Sequence, residues 1–299
     1  MTDDLRIGDL LGTSLHATPA RVVLIGFPSD AGVRINGGRP GAAAGPDAIR
    51  ACLGRLTPDA AHPQVFADLV RATRDDGDLV VSGDVAADQE ALAAVVRATL
   101  EAEAFPLVLG GGHETAYGHF LGHASRGATV DLLNWDAHPD VRPLRDGQPH
   151  SGSPFRQALE HPSGLAGRYQ VVGLQPHAAA AEHVRWVRER GGRTFWMHDV
   201  TRPTIVALYD QLARATMVSF DLDAVDQAFA PGVSAPATGG LTPELWLLAA
   251  RAAGRNPHVL SADIVELNPA FDRDQQTARL AALTVWHLLA GLAERAADR

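Results

Sequence analysis

The sequence predicts an α/β protein whose central sheet is mainly parallel, and two observations support this fold class. Short runs that are apolar at every position recur along the chain, and stretches with helical periodicity separate most of them. Strands that are apolar throughout are buried on both faces, and strands that alternate with helices pair in parallel. With 299 residues and no linker or repeat, the chain is predicted to form a single domain, 1–299, with a polar N-terminal arm at residues 1–20.

The elements follow one another in a regular order. The first predicted strand spans residues 21–27 and runs into a loop rich in Gly, Ala, Pro and Arg at residues 28–45. A helix is predicted at residues 45–53, because a proline stands where the first helical turn accepts it. Further strands are predicted at residues 78–82, 106–109, 129–135, 169–174, 193–196, 217–222 and 258–264. Further helices are predicted at residues 88–104, 114–121, 178–190, 204–215, 243–253 and 275–295.

Composition limits the classes of function. Hydrophobic residues make up 46% of the chain and charged residues 20%, which is typical of a soluble globular protein. The single cysteine, Cys52, excludes an internal disulfide and indicates a reducing compartment, so we expect a cytoplasmic protein without a signal peptide. The net charge of −9 and the lack of a Lys/Arg-rich block argue against nucleic-acid binding. No apolar run is long enough to predict a membrane span.

The segment NWDAHPD, residues 134–140, places two carboxylates around one imidazole where the predicted strand 129–135 ends. Asp136, His138 and Asp140 are each two residues apart, and on an extended backbone such side chains point the same way. Crowded carboxylates repel unless a positive group lies between them. Carboxylates around an imidazole are a ligand set for a divalent metal.

Two other predicted strands end in the same way. GGGHE follows one of them and SFDLD ends the other. Each motif alone is equally compatible with a turn, a loop or a helix cap, but ligands in parallel α/β sheets bind beyond the carboxyl ends of strands. We therefore predict a metal site with six candidate ligands, which exceed the needs of one ion and suit two ions about 3.5–4 Å apart. The six are His113, Asp136, His138, Asp140, Asp221 and Asp223.

The glycine-rich segments do not predict nucleotide binding. The triplet at residues 110–112 lacks the GxGxxG spacing and is followed by a histidine, and the chain contains no GxxxxGK[ST] motif.

These motifs resemble those of the ureohydrolases, the family of arginase, agmatinase and formimidoylglutamase. The resemblance extends from residue 26 to residue 289 and depends on GGGHE, DAHPD and SFDLDAVDQAFAPGVSAP. Arginases and agmatinases usually read GGDHS in place of GGGHE. Segments 32–41, 140–143, 150–155 and 230–235 are also most similar to the formimidoylglutamase subgroup. The resemblance implies an arginase-like three-layer α/β/α sandwich with a mainly parallel sheet. It also implies hydrolysis of N-formimidoyl-L-glutamate to L-glutamate and formamide, a step of histidine degradation.

The resemblance also implies two metal ions, and the predicted metal is Mn²⁺, which suits a site rich in hard oxygen ligands. Two divalent ions that share a water lower its pKa and so provide a nucleophile for a planar amidine carbon. In this family Asp136 and Asp221 would bridge the ions. One ion would be completed by His113 and Asp140, and the other by His138 and Asp223.

The resemblance also implies that three residues take part in the reaction. Glu266, at the end of an apolar run, resembles the family glutamate that pairs with the substrate cation, although a Glu before a turn is often only a surface residue. His150, on a polar loop, matches the family position of a proton shuttle, although loop histidines are usually just solvated. An imidazole suits proton transfer near neutral pH. Asp223 is a second candidate for relaying the proton of the attacking water.

The substrate tail is assigned to Arg142, with Asn36 and Arg39 as further candidates. Arg142 follows Asp140 by two residues, so we expect its side chain to reach into the cleft and pair with a carboxylate. Arginases carry acidic residues near the position of Gln175, where this chain has none, and this difference favours an anionic substrate. A surface salt bridge is the alternative for either arginine.

Two other functions remain open at this stage. One is an agmatinase or guanidinobutyrase that releases urea, and the other is a non-catalytic metal-binding paralogue. The resemblance also implies a homo-oligomer, because trimers and hexamers are common among relatives.

Overall fold

The computed structural model describes residues 4–297 and contains one eight-stranded sheet in which every pairing is parallel. The strand order is β2-β1-β3-β8-β7-β4-β5-β6. The strands are β1 (Val22–Phe27), β2 (Thr73–Asp78), β3 (Phe105–Gly110), β4 (Val130–Trp135), β5 (Ala166–Leu174), β6 (Arg193–Trp196), β7 (Thr216–Asp221) and β8 (Val259–Val265).

Helices cover both faces of this sheet, so the predicted three-layer α/β/α sandwich is confirmed. The helices are α1 (Ile7–Leu10), α2 (Ala31–Asn36), α3 (Gly45–Leu53), α4 (Pro63–Arg71), α5 (Val85–Glu101), α6 (Thr115–Ala124), α7 (Pro154–Leu159), α8 (Ala181–Glu189), α9 (Arg202–Asp210), α10 (Pro243–Arg255) and α11 (Gln276–Ala297). No helix within residues 4–297 is both long and apolar enough to cross a lipid bilayer.

Successive residues of β1 pack into different cores. Val22 and Leu24 join the core formed with α3, α4, α10 and α11, whereas Val23 and Ile25 join the core formed with α5. Side chains alternate between the two faces of a strand, so a sheet covered on both sides needs apolar residues at every position. This requirement explains why the central strands could be recognised in the sequence as continuous apolar runs.

The strand predicted at residues 78–82 is wrong. The structure places β2 at Thr73–Asp78, and Val80, in the predicted strand, is 95% exposed. β2 lies at the edge of the sheet, and its outward side chains are exposed, so its sequence TRDDGD carries no apolar run. Instead, Arg50 of α3 pairs with Asp75 at 2.9 Å and with Asp78.

The segment predicted as an N-terminal arm contains α1, and residues 1–3 of it lie outside the described part of the chain. Ile7 and Leu10 of α1 are buried in the core that contains α4. The backbone N–H of Ile7 also donates to the carbonyl of Leu56 at 2.8 Å. Residues 7–10 are therefore docked on the sandwich by apolar burial and by a backbone hydrogen bond.

Candidate metal centre and cleft

The predicted site residues follow four adjacent strands in the middle of the sheet. β3, β8, β7 and β4 are neighbours in the strand order, and the chain leaves each of them at the same edge. His113 follows β3, Asp136 follows β4, Asp221 ends β7 and Glu266 follows β8. Parallel strands bring their carboxyl ends together, so residues far apart in sequence meet above the centre of the sheet.

His113 lies at the centre of a buried group of carboxylates. Its Nδ1 is 2.8 Å from a carboxylate oxygen of Asp221, 2.9 Å from one of Asp140 and 3.4 Å from one of Asp136. One ligand atom from each of these four residues lies within 4.8 Å of the others, so the group could hold a metal ion. Nδ1 nevertheless makes no hydrogen bond of acceptable geometry within residues 4–297.

His138 and Asp223 extend this group towards the cleft. His138 Nδ1 is 3.3 Å from Asp136 Oδ1 and 4.0 Å from Asp223 Oδ2. Asp136 therefore presents one oxygen to His113 and the other to His138. The structure thus brings all six predicted ligand residues together, with Asp136 between the two imidazoles. We call these six residues the first cluster.

The tautomer of His113 fits a metal ligand. Its Nε2 lies 3.0 Å from the hydroxyl of Ser219, and this hydroxyl donates to Asp263. Nε2 must then carry the proton, which leaves the lone pair of Nδ1 directed at three carboxylates. A lone pair that faces carboxylate oxygens is repelled unless a cation or a proton lies between them. A donor set of imidazole and carboxylates in this arrangement suits divalent cations.

The pKa values also reflect the excess of carboxylates in the first cluster. Burial raises the pKa of Asp221 well above its usual value, and the charge of Asp136 raises it further. Burial and the charge of Asp221 do the same to the pKa of Asp223. Burial opposes the charged form of His138, but its hydrogen bond with Asp136 and the nearby carboxylates raise its pKa to about 10. Without a metal the cluster therefore retains protons, which divalent ions would displace on binding.

Local backbone geometry holds the ligands after the strands end. Asp136 Oδ1 accepts the N–H of His138 at 2.7 Å, and Asp221 Oδ1 accepts the N–H of Asp223 at 2.7 Å. Asp140 and Glu266 adopt left-handed backbone conformations, with φ of 43° and 67°. Residues other than glycine rarely adopt this conformation, and such strain concentrates at functional sites.

Glu266 is buried beside the first cluster with one oxygen free. Its Oε1 accepts the backbone N–H of His113 at 2.8 Å, and its own N–H donates to Gly111 at 2.8 Å. Oε2 has no hydrogen-bond partner within residues 4–297. Burial raises the pKa of Glu266 well above its usual value, and the charge of Asp223 adds to this effect. The carboxyl group therefore forms no ion pair within residues 4–297.

The first cluster opens into a cleft of about 320 Å³. Arg142 lines this cleft, and its Nη1 donates to Asn36 Oδ1 at 3.0 Å. Asn36 in turn donates through Nδ2 to the hydroxyl of Ser151 at 3.0 Å. Of the three predicted tail-binding residues, Asn36 and Arg142 are thus connected to each other and face the same space as Glu266.

Arg39 also lines the cleft, but its guanidinium is already engaged. Its Nε donates to the carbonyl of Ser234 at 3.0 Å and its Nη2 to the carbonyl of Val233. The guanidinium carbon lies 4.2 Å from the ring centre of Phe271. Arg39 therefore ties the segment around residue 234 to the cleft wall and has fewer free donors than Arg142.

The ring of His150 is bonded within its own loop. Its Nδ1 accepts the N–H of Gly152 at 3.1 Å, so its Nε2 carries the proton and donates to the carbonyl of Pro143 at 3.0 Å. Burial, together with nearby Arg142, lowers the pKa of His150 and favours the neutral ring. His150 is therefore a neutral imidazole whose two nitrogens are both bonded to its own loop.

A second group of buried polar residues lies behind His113, and no sequence motif indicated it. Asp263 Oδ2 accepts from His119 Nδ1 at 2.6 Å, and the hydroxyl of Ser261 contacts Nε2 of His119 at 2.6 Å and Nε2 of His123 at 2.7 Å. Together with the hydroxyl of Ser219, these residues form what we call the second cluster. Its members lie inside β7, β8 and α6, where polar residues are easily taken for interruptions of a core pattern.

Comparison with known proteins shows the family to which the chain belongs. The Arginase family model matches residues 20–291, and the chain belongs to this family. The chain is 39% identical to a formimidoylglutamase of Rhodococcus jostii over 295 residues, which cover 93% of this chain and 88% of that protein. A formimidoylglutamase of Geobacillus kaustophilus is 35% identical and covers 93% of this chain and 86% of its own length.

Solved structures agree with these sequence relatives. Trypanosoma cruzi formiminoglutamase, whose crystal structure contains two Mn²⁺ ions, superimposes with a TM-score of 0.90 at 33% identity and covers 98% of this chain and all of its own. Bacillus subtilis arginase gives a TM-score of 0.76 at 27% identity, with 90% and 98% coverage. The predicted resemblance to the ureohydrolases, with formimidoylglutamase as the most similar subgroup, is therefore confirmed.

Proposed function

We propose that this chain is a binuclear metal hydrolase that converts N-formimidoyl-L-glutamate and water to L-glutamate and formamide. One observation carries this proposal. The carboxylate–imidazole cluster, Arg142, and Glu266, whose Oε2 has no partner among the described residues, all border the same cleft. The cleft therefore offers sites for metal, for an amidinium and for a carboxylate. Formimidoylglutamases among the relatives of the chain support the choice of substrate.

The first cluster would hold two Mn²⁺ ions. We infer that His113 and Asp140 complete one site, that His138 and Asp223 complete the other, and that Asp136 and Asp221 are shared. The position of Asp136 between both imidazoles supports this division. When bound, the two ions would lower the pKa of water and stabilise negative charge as it develops at the substrate carbon.

Glu266 would hold the positive end of the substrate. Divalent ions repel an amidinium, so the cationic group needs an acid next to the metal site. Glu266 Oε2 is buried and has no hydrogen-bond partner in the described part of the chain, and its burial makes pairing with a cation more favourable than solvent exposure would.

Proton transfer would then complete the reaction. Water adds its oxygen to the formimidoyl carbon, the bond from this carbon to the glutamate nitrogen breaks, and the amine leaves with one proton more. Asp223 would accept the proton released by the attacking water. His150 would deliver a proton to the leaving amine. Its neutral ring must first take up a proton at Nδ1 in place of the bond from Gly152, and its Nε2–H must exchange the carbonyl of Pro143 for the substrate.

Arg142 would bind a carboxylate of the glutamate tail, with Asn36 and Arg39 beside it. Arginine is suited to this task because its planar group can donate two parallel hydrogen bonds to a carboxylate. The urea-releasing alternative is not favoured, since the cationic tail of agmatine would meet Arg39 and Arg142 in the cleft. We further propose that the protein acts in the cytoplasm as a homo-oligomer, a trimer or hexamer, which sedimentation analysis would test.

A substrate panel tests this function after the protein is loaded with manganese. Release of formamide is expected from N-formimidoyl-L-glutamate, with little urea from agmatine or 4-guanidinobutyrate. Preference for a guanidine would overturn the choice of substrate but leave a ureohydrolase. No turnover of any amidine or guanidine would instead favour the non-catalytic alternative.

A further inference from the structure

Glu114 is a buried acid that the chemistry proposed above does not use. It follows His113 directly, is 0% exposed, and lies in a narrow slot between Gly32 and Gly112. A Cβ added at Gly32 would lie 2.6 Å from Cδ of Glu114, and one at Gly112 would lie closer still to Oε2. The two glycines are thus needed to let backbone segments approach this carboxyl group.

The carboxyl group of Glu114 caps a helix to which it does not belong. Its Oε1 accepts the N–H of Gly32, the second residue of α2, at 2.8 Å. In most helices the N-cap side chain accepts this kind of N–H, but the N-cap residue Asp30 makes no such bond. Asp30 instead accepts the N–H of Gly41 at 2.6 Å and pairs with Arg34.

The opposite end of α2 forms part of the cleft. Its last residue, Asn36, accepts from Arg142 Nη1 and donates to Ser151, both at 3.0 Å. The carbonyl of Ile35 accepts from Arg145 Nη1 at 2.7 Å. The helix therefore orients Arg142 and connects it to the loop that contains Ser151.

The length of α2 makes these end contacts important. A helix of six residues is far too short to be stable alone in water, so tertiary contacts must hold it. Glu114 supplies the contact at its first turn, and the segment before it is fixed by the N–H of Gly112, which donates to the carbonyl of Ser29 at 2.8 Å.

We propose that Glu114 is a positioning residue for substrate specificity, because it caps α2 and thereby holds Asn36 against Arg142. This inference rests on the proposed function in one respect, namely that Arg142 binds a substrate carboxylate. Glu114 connects the metal-binding loop after β3 to the wall of the tail-binding cleft. Glu114 does not line the cleft, and the hydrogen bond that links its side chain to the cleft wall is the one to Gly32 of α2.

The test compares two variants of matched size. Glu114→Met fills the slot with an unbranched side chain but lacks the acceptor, whereas Glu114→Gln keeps an oxygen at the same place. With N-formimidoyl-L-glutamate, Glu114→Met is expected to raise KM roughly three- to thirtyfold, as the loss of a helix cap predicts. kcat should stay within about twofold, because the interactions at the reacting carbon are unchanged. Glu114→Gln should restore the wild-type KM.

Two controls separate positioning from general damage. Glu114→Met should retain the wild-type manganese content and act normally on a small amidine without a carboxylate. In the double variant Glu114→Met/Arg142→Ala, KM should be no higher than in Arg142→Ala alone, because both changes remove one interaction. Equal losses on both substrates, or loss of manganese, would show that Glu114 supports the metal loop instead and would overturn the inference.

A measurement without substrate keeps this test independent of the proposed function. Hydrogen exchange of the amides at residues 31–36 in the manganese-loaded protein should be faster in Glu114→Met than in Glu114→Gln or the wild type. Unchanged exchange would refute the capping role, whatever the substrate is. If Glu114→Met does not fold, Glu114→Asp retracts the carboxyl group by one methylene and should accelerate exchange in the same segment.

Discussion

The first cluster, in which His138 and Asp140 are partly exposed, and the buried second cluster both contain histidine and aspartate, yet they differ in how well their members are paired. In the first cluster four carboxylates surround two imidazoles, and Nδ1 of His113 makes no hydrogen bond with any residue that the structure describes. In the second cluster one carboxylate, Asp263, is shared by Ser219 and His119. Ser261 then joins His119 to His123, and every contact is at hydrogen-bond distance.

The difference shows which buried polar groups serve a ligand and which serve the fold. A buried polar network whose members are all satisfied stabilises one arrangement of a core, whereas unsatisfied charge is costly. In the first cluster, bound divalent ions would neutralise the carboxylates and so remove this free-energy cost. The two clusters meet at His113, whose Nε2 contacts Ser219 while its Nδ1 faces the carboxylates.

The largest effect is expected at the first cluster. Asp221→Asn keeps the acceptor for the N–H of Asp223 but removes a charge that both ions would share. We expect loss of manganese and a decrease in turnover of about 10³-fold or more, because metal ions contribute several kcal/mol to such reactions. Metal analysis and turnover measure this change. One tightly bound ion in a fully active wild-type protein would disprove the two-ion site.

His150 tests the limits of the comparison. Both of its ring nitrogens are bonded, as in the second cluster, although we assign it a proton-transfer role. His150→Asn should lower turnover by about 10²–10⁴-fold and leave the manganese content unchanged. Turnover equal to the wild type at every pH would mean that His150 only holds its loop. A ring with both nitrogens hydrogen-bonded would then indicate a structural role here, as it does in the second cluster.

Arg142 extends the comparison to the substrate side of the cleft. Its Nη1 binds Asn36, and its other N–H groups bond no other side chain or carbonyl within residues 4–297. A hydrogen bond to a charged group contributes about 1.5–3 kcal/mol. Arg142→Ala should therefore raise KM for N-formimidoyl-L-glutamate roughly ten- to hundredfold. The loss should be far smaller for an amidine without a carboxylate, and equal losses would assign Arg142 to the loop.

Changes in the second cluster should affect stability more than activity. Asp263→Asn leaves an acceptor for Ser219 but removes the carboxylate oxygen that accepts from His119 Nδ1. A buried donor left without its acceptor costs about 1–3 kcal/mol, and each kcal/mol lowers Tm by about 2–4 °C in domains of 150–250 residues. Thermal melting of the manganese-loaded variant measures the decrease, with Asp199→Asn as an exposed control. A Tm equal to that of the control would contradict the structural role.

The smallest expected effect is on the pH dependence of Tm in the metal-free protein. The pKa of Asp221 is raised in the fold by burial and then by Asp136, while an unfolded aspartate titrates near pH 4. Above about pH 4 the unfolded chain binds fewer protons than the folded chain, so the contribution of Asp221 to stability decreases as pH rises. Metal-free Asp221→Asn should gain about 2–4 °C in Tm over the wild type from pH 5 to pH 8. If plots of Tm against pH were parallel for the two proteins, the excess of negative charge inferred for the first cluster would be contradicted.

The sequence predicts the centre of the molecule better than its periphery. The central strands are apolar at every position, and polar residues stand at their carboxyl ends, so the sheet and the six candidate ligands were predictable. β2 was placed wrongly because an exposed edge strand needs no apolar run. α2 and α7 are too short for a clear helical period.

Contacts between distant segments could not be predicted from one sequence. Asp263 and His119 are 144 residues apart, and Glu114 and Gly32 are 82 residues apart. Glu114 was visible as a letter of the GGGHE motif, but its role depends on the backbone it reaches. Nothing local in the sequence indicates that a side chain after β3 caps α2.

The polar character of β2 also determines how the protein can meet its neighbours. An edge strand has a row of free backbone groups that can pair with another chain, and charged side chains on it oppose such pairing. β2 carries Arg74, Asp75, Asp76 and Asp78, and the opposite edge, β6, is a strand of only four residues that begins with Arg193. Continuation of the sheet from one copy of the chain to another is therefore disfavoured at both ends. Copies that associate would have to do so through helices and loops, and the same charges oppose aggregation of the folded chain through its strands.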